Sequence, residues 1–294
     1  VGAAPLLSGQ RYAQTLQHYV PNSGETTWHT FADTAYAKND LISGDSKNTY
    51  FVMGADRRLN AQNLRLGATL GYQHSKGSLG SDAGDFHVNE PNVGVYLSQQ
   101  NERGGMMLYG RYGWLNADVD RKVTLGQAHR TQSGSTDGSH MTLGIQGNWH
   151  ICQLANGKMM HGPIGRIAYE KVNLDAYDEV GQSSTAMSFG EQKRKGWLMS
   201  AGYQLRGNFG RVKPYAALSY EMDRTKGSDV RAHLKSVSSS FSMPVHETDD
   251  GARLQLGAQV ELAKNMHLTI GAERTFAKDF GQETVVNLGL NAQF

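Results

Sequence analysis

Read with a period of two, the chain separates repeatedly into an oily face and a wet one. Near the C-terminus Val286, Leu288, Leu290, Ala292 and Phe294 fall on one side of an extended segment, and Asn287, Gly289, Asn291 and Gln293 on the other. Leu64, Leu66, Ala68, Leu70 and Tyr72 alternate in the same way with Arg65, Gly67, Thr69, Gly71 and Gln73. The split recurs over 141–149, 197–206, 212–222 and 254–262. Such segments predict strands whose two faces meet different surroundings. With weaker cases included, strands are expected near 28–38, 48–59, 64–76, 86–99, 106–120, 139–151, 160–173, 196–206, 212–224, 251–262, 267–276 and 284–294. That makes about twelve, an even number, as closed bacterial barrels require. Pro163 and Pro214 begin strands, where a missing N–H is tolerated, whereas Pro91 sits inside the fourth segment and weakens its outer half.

The connections carry the argument from sheet to membrane. Those at 60–63, 100–105, 152–159, 207–211 and 263–266 are short, while 121–138, 174–195 and 225–250 are long and polar. Short turns on one rim and long loops on the other describe an outer-membrane barrel. Tyr72 and Tyr220 are then expected near the outer rim, and Trp28, Trp149 and Phe294 near the inner one. A soluble sandwich or lipocalin-like barrel is the alternative, but it has no reason to sort its loops by parity.

Before the first strand, Leu6, Leu7, Tyr12, Leu16 and Tyr19 recur at helical spacing, flanked by Gln10, Arg11, Gln14, Gln17 and His18. Residues 21–24 (PNSG) stop the pattern. A barrel of about twelve strands is wide enough to hold one helix, so residues 1–24 are expected as a lumenal helix and linker, and 25–294 as the barrel. The fold class expected is therefore all-β: a transmembrane antiparallel barrel with an N-terminal α-helix in its lumen. Gly67, Gly71, Gly144, Gly202, Gly257, Gly271 and Gly289 share the inward parity and would let the helix approach the wall; alternatively, they ease strand bending. Arg65, Arg206 and Arg253, with Glu261 and Glu273, also point inward and are expected to hold the helix, with Arg11 and Gln17 among its polar groups.

Composition narrows the function. The formal charge of +2 leaves no footprint for nucleic acid. One cysteine, Cys152, cannot form an internal disulfide. No run of about 18 apolar residues makes a transmembrane helix, and the mean hydropathy of -0.52 does not exclude a barrel, whose lipid face occupies every second residue. The opening VGAAP has no signal-peptide pattern, and the chain reads as a mature product or a fragment of something longer.

Residues 28–294 resemble the translocator domain of monomeric autotransporters, the type V secretion family. The stretch MGADRRLNAQNLRLGATLGY (Met53 to Tyr72) is similar to that family's second hairpin, and the terminal aromatic strand to its assembly signature. A narrower likeness, to barrels with a GDSL-type esterase or lipase passenger, lies in DRKVTLGQAHRTQSGSTDG, LDAYDEVGQSSTAMSFGEQKR and SMPVHETDDGARLQLG. The resemblance implies an outer-membrane monomer in a Gram-negative bacterium that anchors and helps export its own N-terminal passenger. It also implies dependence on the barrel-assembly machinery and periplasmic chaperones, with Phe294 as an assembly signal. An outer-membrane enzyme or small-solute pore is the competing reading.

Candidate chemistry within the chain is thin. Gly44-Asp45-Ser46 matches the start of the esterase nucleophile motif, but Lys47 replaces its leucine and no Asp-x-x-His follows. The eleven histidines include no HExxH or Cys/His metal spacing, so neither metal nor cofactor is expected. Asp178, Glu179, Asp249 and Asp250 read as solvated loop charges.

Overall fold

The computed structural model describes residues 4–19, 27–41, 44–59, 63–101, 103–181, 183–237, 239–243, 250–277 and 281–294, without the side chains of 4–8, 41 and 81. A helix, α1 (Ala4–Tyr19), precedes twelve long strands. They are β1 (Trp28–Leu41), β2 (Gly44–Arg58), β3 (Leu64–Leu79), β4 (Gly84–Asn101), β5 (Gly104–Leu125) and β6 (Ala128–Trp149). The second half comprises β7 (Met159–Leu174), β8 (Gln192–Gly207), β9 (Val212–Gly227), β10 (Gly251–Ala263), β11 (Met266–Phe276) and β12 (Gly281–Gln293).

Each strand pairs antiparallel with its sequence neighbours, and the ring closes where β12 meets β1, from His29 opposite Gln293 to Leu41 opposite Gly281. Beyond that register the Phe294 N–H donates to the Trp28 carbonyl at 2.9 Å, and the Trp28 N–H to the Phe294 carbonyl at 3.1 Å. Closure leaves no strand edge to face hydrocarbon, where an unpaired backbone group would find no partner. No helix among the described residues is long and apolar enough to cross a membrane, so the strands make the crossing.

The alternation follows the sequence closely. On β1, His29, Phe31, Asp33, Ala35, Ala37 and Asn39 are buried inside, while Trp28 and Tyr36 lie exposed on the outer surface. On β12, Val286, Leu288 and Leu290 are exposed and Glu283, Asn287 and Asn291 buried. Trp28, Trp149 and Phe294 stand exposed at the rim of the short turns; Tyr72 and Tyr220 are exposed farther toward the other rim.

The outer ends depart from expectation. The segment 121–138, read as a loop, is strand: β5 and β6 are 22 residues each and pair down to Leu125 opposite Ala128, leaving only Gly126 and Gln127 to turn. Gly126 takes φ +65°, which suits glycine. This hairpin rises past the lipid: its tip, 122–131, has no buried residue on either face, and below it the inward Val119, Gln132 and Thr136 stay buried while the outward positions are polar, so no apolar outer face marks it, as Asn116 opposite Asp137 and Asp120 opposite Ser133 illustrate. The ranges 174–195 and 225–250 also fold, contributing Tyr177–Asp178, Met187–Phe189, Val230–Leu234 and Ser240–Met243 to a separate four-stranded sheet. β4 runs unbroken through Pro91, but its ladder to β5 skips Glu90 and Pro91, where the ring nitrogen has no hydrogen to give.

Candidate functional site

α1 lies in the lumen, and from Gly9 to Tyr19 only Gln17 and His18 are less than fully buried. Near its C-terminal end the Tyr19 hydroxyl donates to Asp33 on β1 at 2.7 Å, and Asn287 on β12 donates to the same carboxylate at 3.2 Å. About two turns earlier the Tyr12 hydroxyl meets Thr69 on β3 at 3.0 Å, while the Arg111 guanidinium lies 6.0 Å from the centre of its ring. Thus the helix runs from the inner half of the barrel toward the outer rim.

Its strongest attachment is ionic. Arg11 donates to both oxygens of Glu273 on β11, at 2.7 and 3.0 Å. Arg253 on β10 bridges Glu273 at 3.3 Å, Glu283 at 3.0 Å and Glu221 at 2.9 Å, and also donates to the side chain of Gln10 at 3.1 Å. Arg166 on β7 completes the web, donating to Glu221 at 3.2 Å and to the Gln10 carbonyl at 3.4 Å. Arginines 11, 166 and 253 thereby interleave with glutamates 221, 273 and 283, all withdrawn from solvent. Burial at this density is tolerated only because each charge faces its opposite.

The remaining inward residues of the sequence reading fall elsewhere. Arg65 pairs with Asp56 on the neighbouring strand at 2.7 Å, where His29 and Tyr96 also converge, and Arg206 donates to Gln204 at 3.2 Å. Glu261 is half-buried near the inner rim and makes no side-chain hydrogen bond or ion pair among the described residues. Leu6 and Leu7 lie on α1, but their side chains fall outside those described.

The lumen is also more apolar than its polar parity predicts. Tyr12, Ala13, Leu16 and Tyr19 pack against Phe31, Val52, Tyr96, Met107, Tyr109, Ala168 and Leu198. Nearer the outer rim Phe86, Val88, Leu115, Ala117, Val119, Val172 and Leu174 form a second cluster. Inward glycines make room chiefly for these wall aromatics: a Cβ at Gly67 would strike Tyr96, at Gly144 Tyr109, and at Gly257 or Gly271 Tyr215. Gly71 accommodates Asn92, and Gly202 the neighbouring Leu218–Ser219 backbone. The helix itself is met by Gly289, beneath the Tyr19 hydroxyl, and by Gly94, beneath that of Tyr12. Gly94 lies in β4 on the inward parity, so the alternation alone could have found it.

Beside the helix remains a polar cavity of about 50 Å³, lined in part by Gln14, Gln17, Gln146, Arg166 and Arg206. Above the barrel, the Arg121 guanidinium on the tall hairpin grips Glu179 at 2.7 and 2.8 Å, and the Gln132 amide donates to Ser183 and Thr185. Glu179 is therefore buried rather than solvated, and Asp250 accepts from Arg224 at 3.0 Å and from Tyr220 at 3.1 Å. Asp178 is exposed, and Asp249 lies outside the described residues. Ser46 is 1% exposed and accepts from the Asn39 amide at 3.2 Å, which keeps its hydroxyl from any substrate. Among the described residues no group of three or more His, Cys, Asp or Glu could hold a metal ion.

A family model described as "Autotransporter beta-domain" matches residues 28–273. Esterase EstA of Pseudomonas aeruginosa is 25% identical over 263 residues, covering 88% of this chain and 40% of that protein. Lipase 1 of Photorhabdus luminescens is 25% identical over 265 residues, covering 86% and 39%. The chain thus spans about two fifths of the length of the curated relatives it matches. The translocator domain of autotransporter NalP from Neisseria meningitidis shares the fold, with TM-score 0.80 over 99% of this chain and 97% of that one at 17% identity.

Proposed function

Since the chain belongs to the autotransporter β-domain family, we propose that it anchors an N-terminal passenger in the outer membrane of a Gram-negative bacterium and helps carry it to the cell surface. The observation that carries this reading is α1 itself: a helix held inside a closed barrel, its C-terminal end near the inner rim and its N-terminal part directed outward. A passenger attached before α1 would emerge on the side of the tall hairpin. The lumen offers a traversing segment the charged and amide partners that hydrocarbon denies.

The passenger is an esterase in this reading, because two relatives covering most of the chain are named esterase and lipase and extend well beyond it. The barrel contributes no catalysis; residues 1–24 are helix and linker, and 25–294 are the anchor. Insertion as a monomer depends on the barrel-assembly machinery, with periplasmic chaperones guarding strands whose edges are still open. A solute pore fits less well, since α1 occupies the lumen and the cavity beside it holds only a few water molecules' volume.

The test is surface display. An epitope-tagged reporter, preceded by a secretion signal and joined before residue 1, is expressed with the barrel. Antibody labelling of intact cells is expected; labelling that appears only after the outer membrane is broken overturns the export reading.

A further inference from the structure

Six lysines on the barrel's outer surface stand in two rows, each crossing three neighbouring strands. Lys171 of β7 faces Lys195 of β8 in register, and Lys195 faces Lys226 of β9. Lys38 of β1 likewise faces Lys47 of β2, which faces Lys76 of β3. All six are exposed and share the outward parity of Tyr36, Phe51, Tyr72 and Trp197.

Residues directly opposite on adjacent strands lie about 5 Å apart, and like charges there weaken the pairing. Barrel closure has no use for such rows. Other lysines facing outward near this rim are paired: Lys122, higher on the tall hairpin, takes Asp82 at 2.8 Å, and Lys193 takes Glu191 at 2.8 Å. Lys171, Lys195 and Lys226 have neither ion pair nor side-chain hydrogen bond among the described residues. Asp250, near this end of β9, is already taken by Arg224, which shares the outward face of Lys226.

Depth identifies what they face. One step inward on the same face Tyr169 and Trp197 stand in register, their rings 5.3 Å apart, with Leu143 opposite Tyr169 on β6, and beyond them the surface turns to Ile145, Ile167 and Met199. Aromatic pairs of this kind mark the boundary of the hydrocarbon. Two residues farther out, about 6.6 Å along a strand, is the depth of lipid headgroups. We infer that the Lys171–Lys195–Lys226 row binds the phosphates of an anionic outer-leaflet glycolipid, whose acyl chains lie over Tyr169 and Trp197. Three ammonium groups spread over about 10 Å, two strand spacings, can each donate to a phosphate, and a doubly phosphorylated headgroup converts their mutual repulsion into attraction. The Lys38–Lys47–Lys76 row is the weaker counterpart, because Asp40 holds Lys38 and faces Asp45 just beyond it.

The test uses the full chain in neutral detergent, with bound lipid read by native mass spectrometry. The probes are diphosphorylated lipid A, the same lipid with its phosphates removed, and inorganic phosphate as competitor. The variants are K171Q/K195Q/K226Q, the corresponding triple Arg variant, K38Q/K47Q/K76Q, and K195Q alone in case the triple fails to fold. Circular dichroism and gel heat-modifiability check the barrel. Affinity for lipid A is expected to fall roughly fivefold per lysine removed, hence on the order of a hundredfold in the triple Gln variant, less in K38Q/K47Q/K76Q, and little in the Arg variant. Dephosphorylated lipid should bind the native chain no better than lipid A binds the triple Gln variant. Unchanged affinity in folded K171Q/K195Q/K226Q or K195Q, or equal binding of dephosphorylated lipid, overturns the assignment. Displacement by inorganic phosphate at concentrations similar to lipid A makes it a free-anion site instead. The inference needs the outward orientation of the tall hairpin but no passenger, so it stands or falls separately from export.

Discussion

Arg11 of the lumenal helix and Glu273 of β11 meet through two parallel hydrogen bonds of 2.7 and 3.0 Å, with 4% and 1% of their side chains exposed. They are 262 residues apart in sequence, so this contact exists only once the ring has closed around the helix. Removing Glu273 takes from Arg11 its ion-pair partner, a loss of up to about 3–5 kcal/mol, whereas removing Arg11 leaves Glu273 still held by Arg253 at 3.3 Å and costs less.

Arg11→Gln or Glu273→Gln should therefore loosen α1 without opening the barrel. Hydrogen exchange of amides 9–19 is expected to quicken by orders of magnitude, while exchange in the β11–β12 ladder stays as it was. Equal protection of the helix in native and variant chains would show that the Tyr12 and Tyr19 contacts hold it unaided.

Deleting residues 1–20 tests the plug more directly. The lipid face and the ladder are untouched, so the barrel should fold and its ion conductance in planar bilayers should rise several-fold. The native chain, with α1 in the lumen and a cavity of about 50 Å³ beside it, is expected to conduct weakly. Conductance that does not change on deletion sinks the plug.

Phe294 is 71% exposed, and only its backbone joins the closing pair with Trp28. Burying a phenyl ring fully is worth about 1.5–3 kcal/mol, so even in contact with lipid it contributes less than the full-circumference ladder it adjoins. Phe294→Ala should accordingly reduce the amount of barrel reaching the outer membrane while leaving the unfolding midpoint of inserted protein within a few degrees. A normal yield with a steeply lowered midpoint would make the ring a structural strut.

The hydrogen bond from Arg224 draws the Asp250 carboxyl down to about 2. A depressed acid stabilises the folded loop above its ordinary value near 3.9, and that contribution fades as pH falls through about 2. Carboxyl-carbon NMR should give a midpoint near 2 in the native chain and return it toward about 4 in Arg224→Gln. A midpoint that stays put in the variant assigns the shift to Tyr220 instead.

The sequence by itself determined the barrel. Lipid demands an apolar residue at every second position and tolerates no open edge, so strands such as 64–76 and 284–294 announce both their faces and their need to close. It also determined that a helical segment precedes β1. Where the strands end was not legible: past the lipid the outward face of β5 and β6 turns polar, the alternation of oily and wet residues disappears, and the stretch from Arg121 to Gly138 reads as loop although it is ladder. Partner choice was decided by tertiary structure alone. Arg65 and Arg253 share the inward parity and the same chemistry, yet Arg65 meets Asp56 on the wall and Arg253 reaches Gln10 on the helix. Parity fixes which way a side chain points, but only the placement of α1 within the ring fixes what stands in front of it.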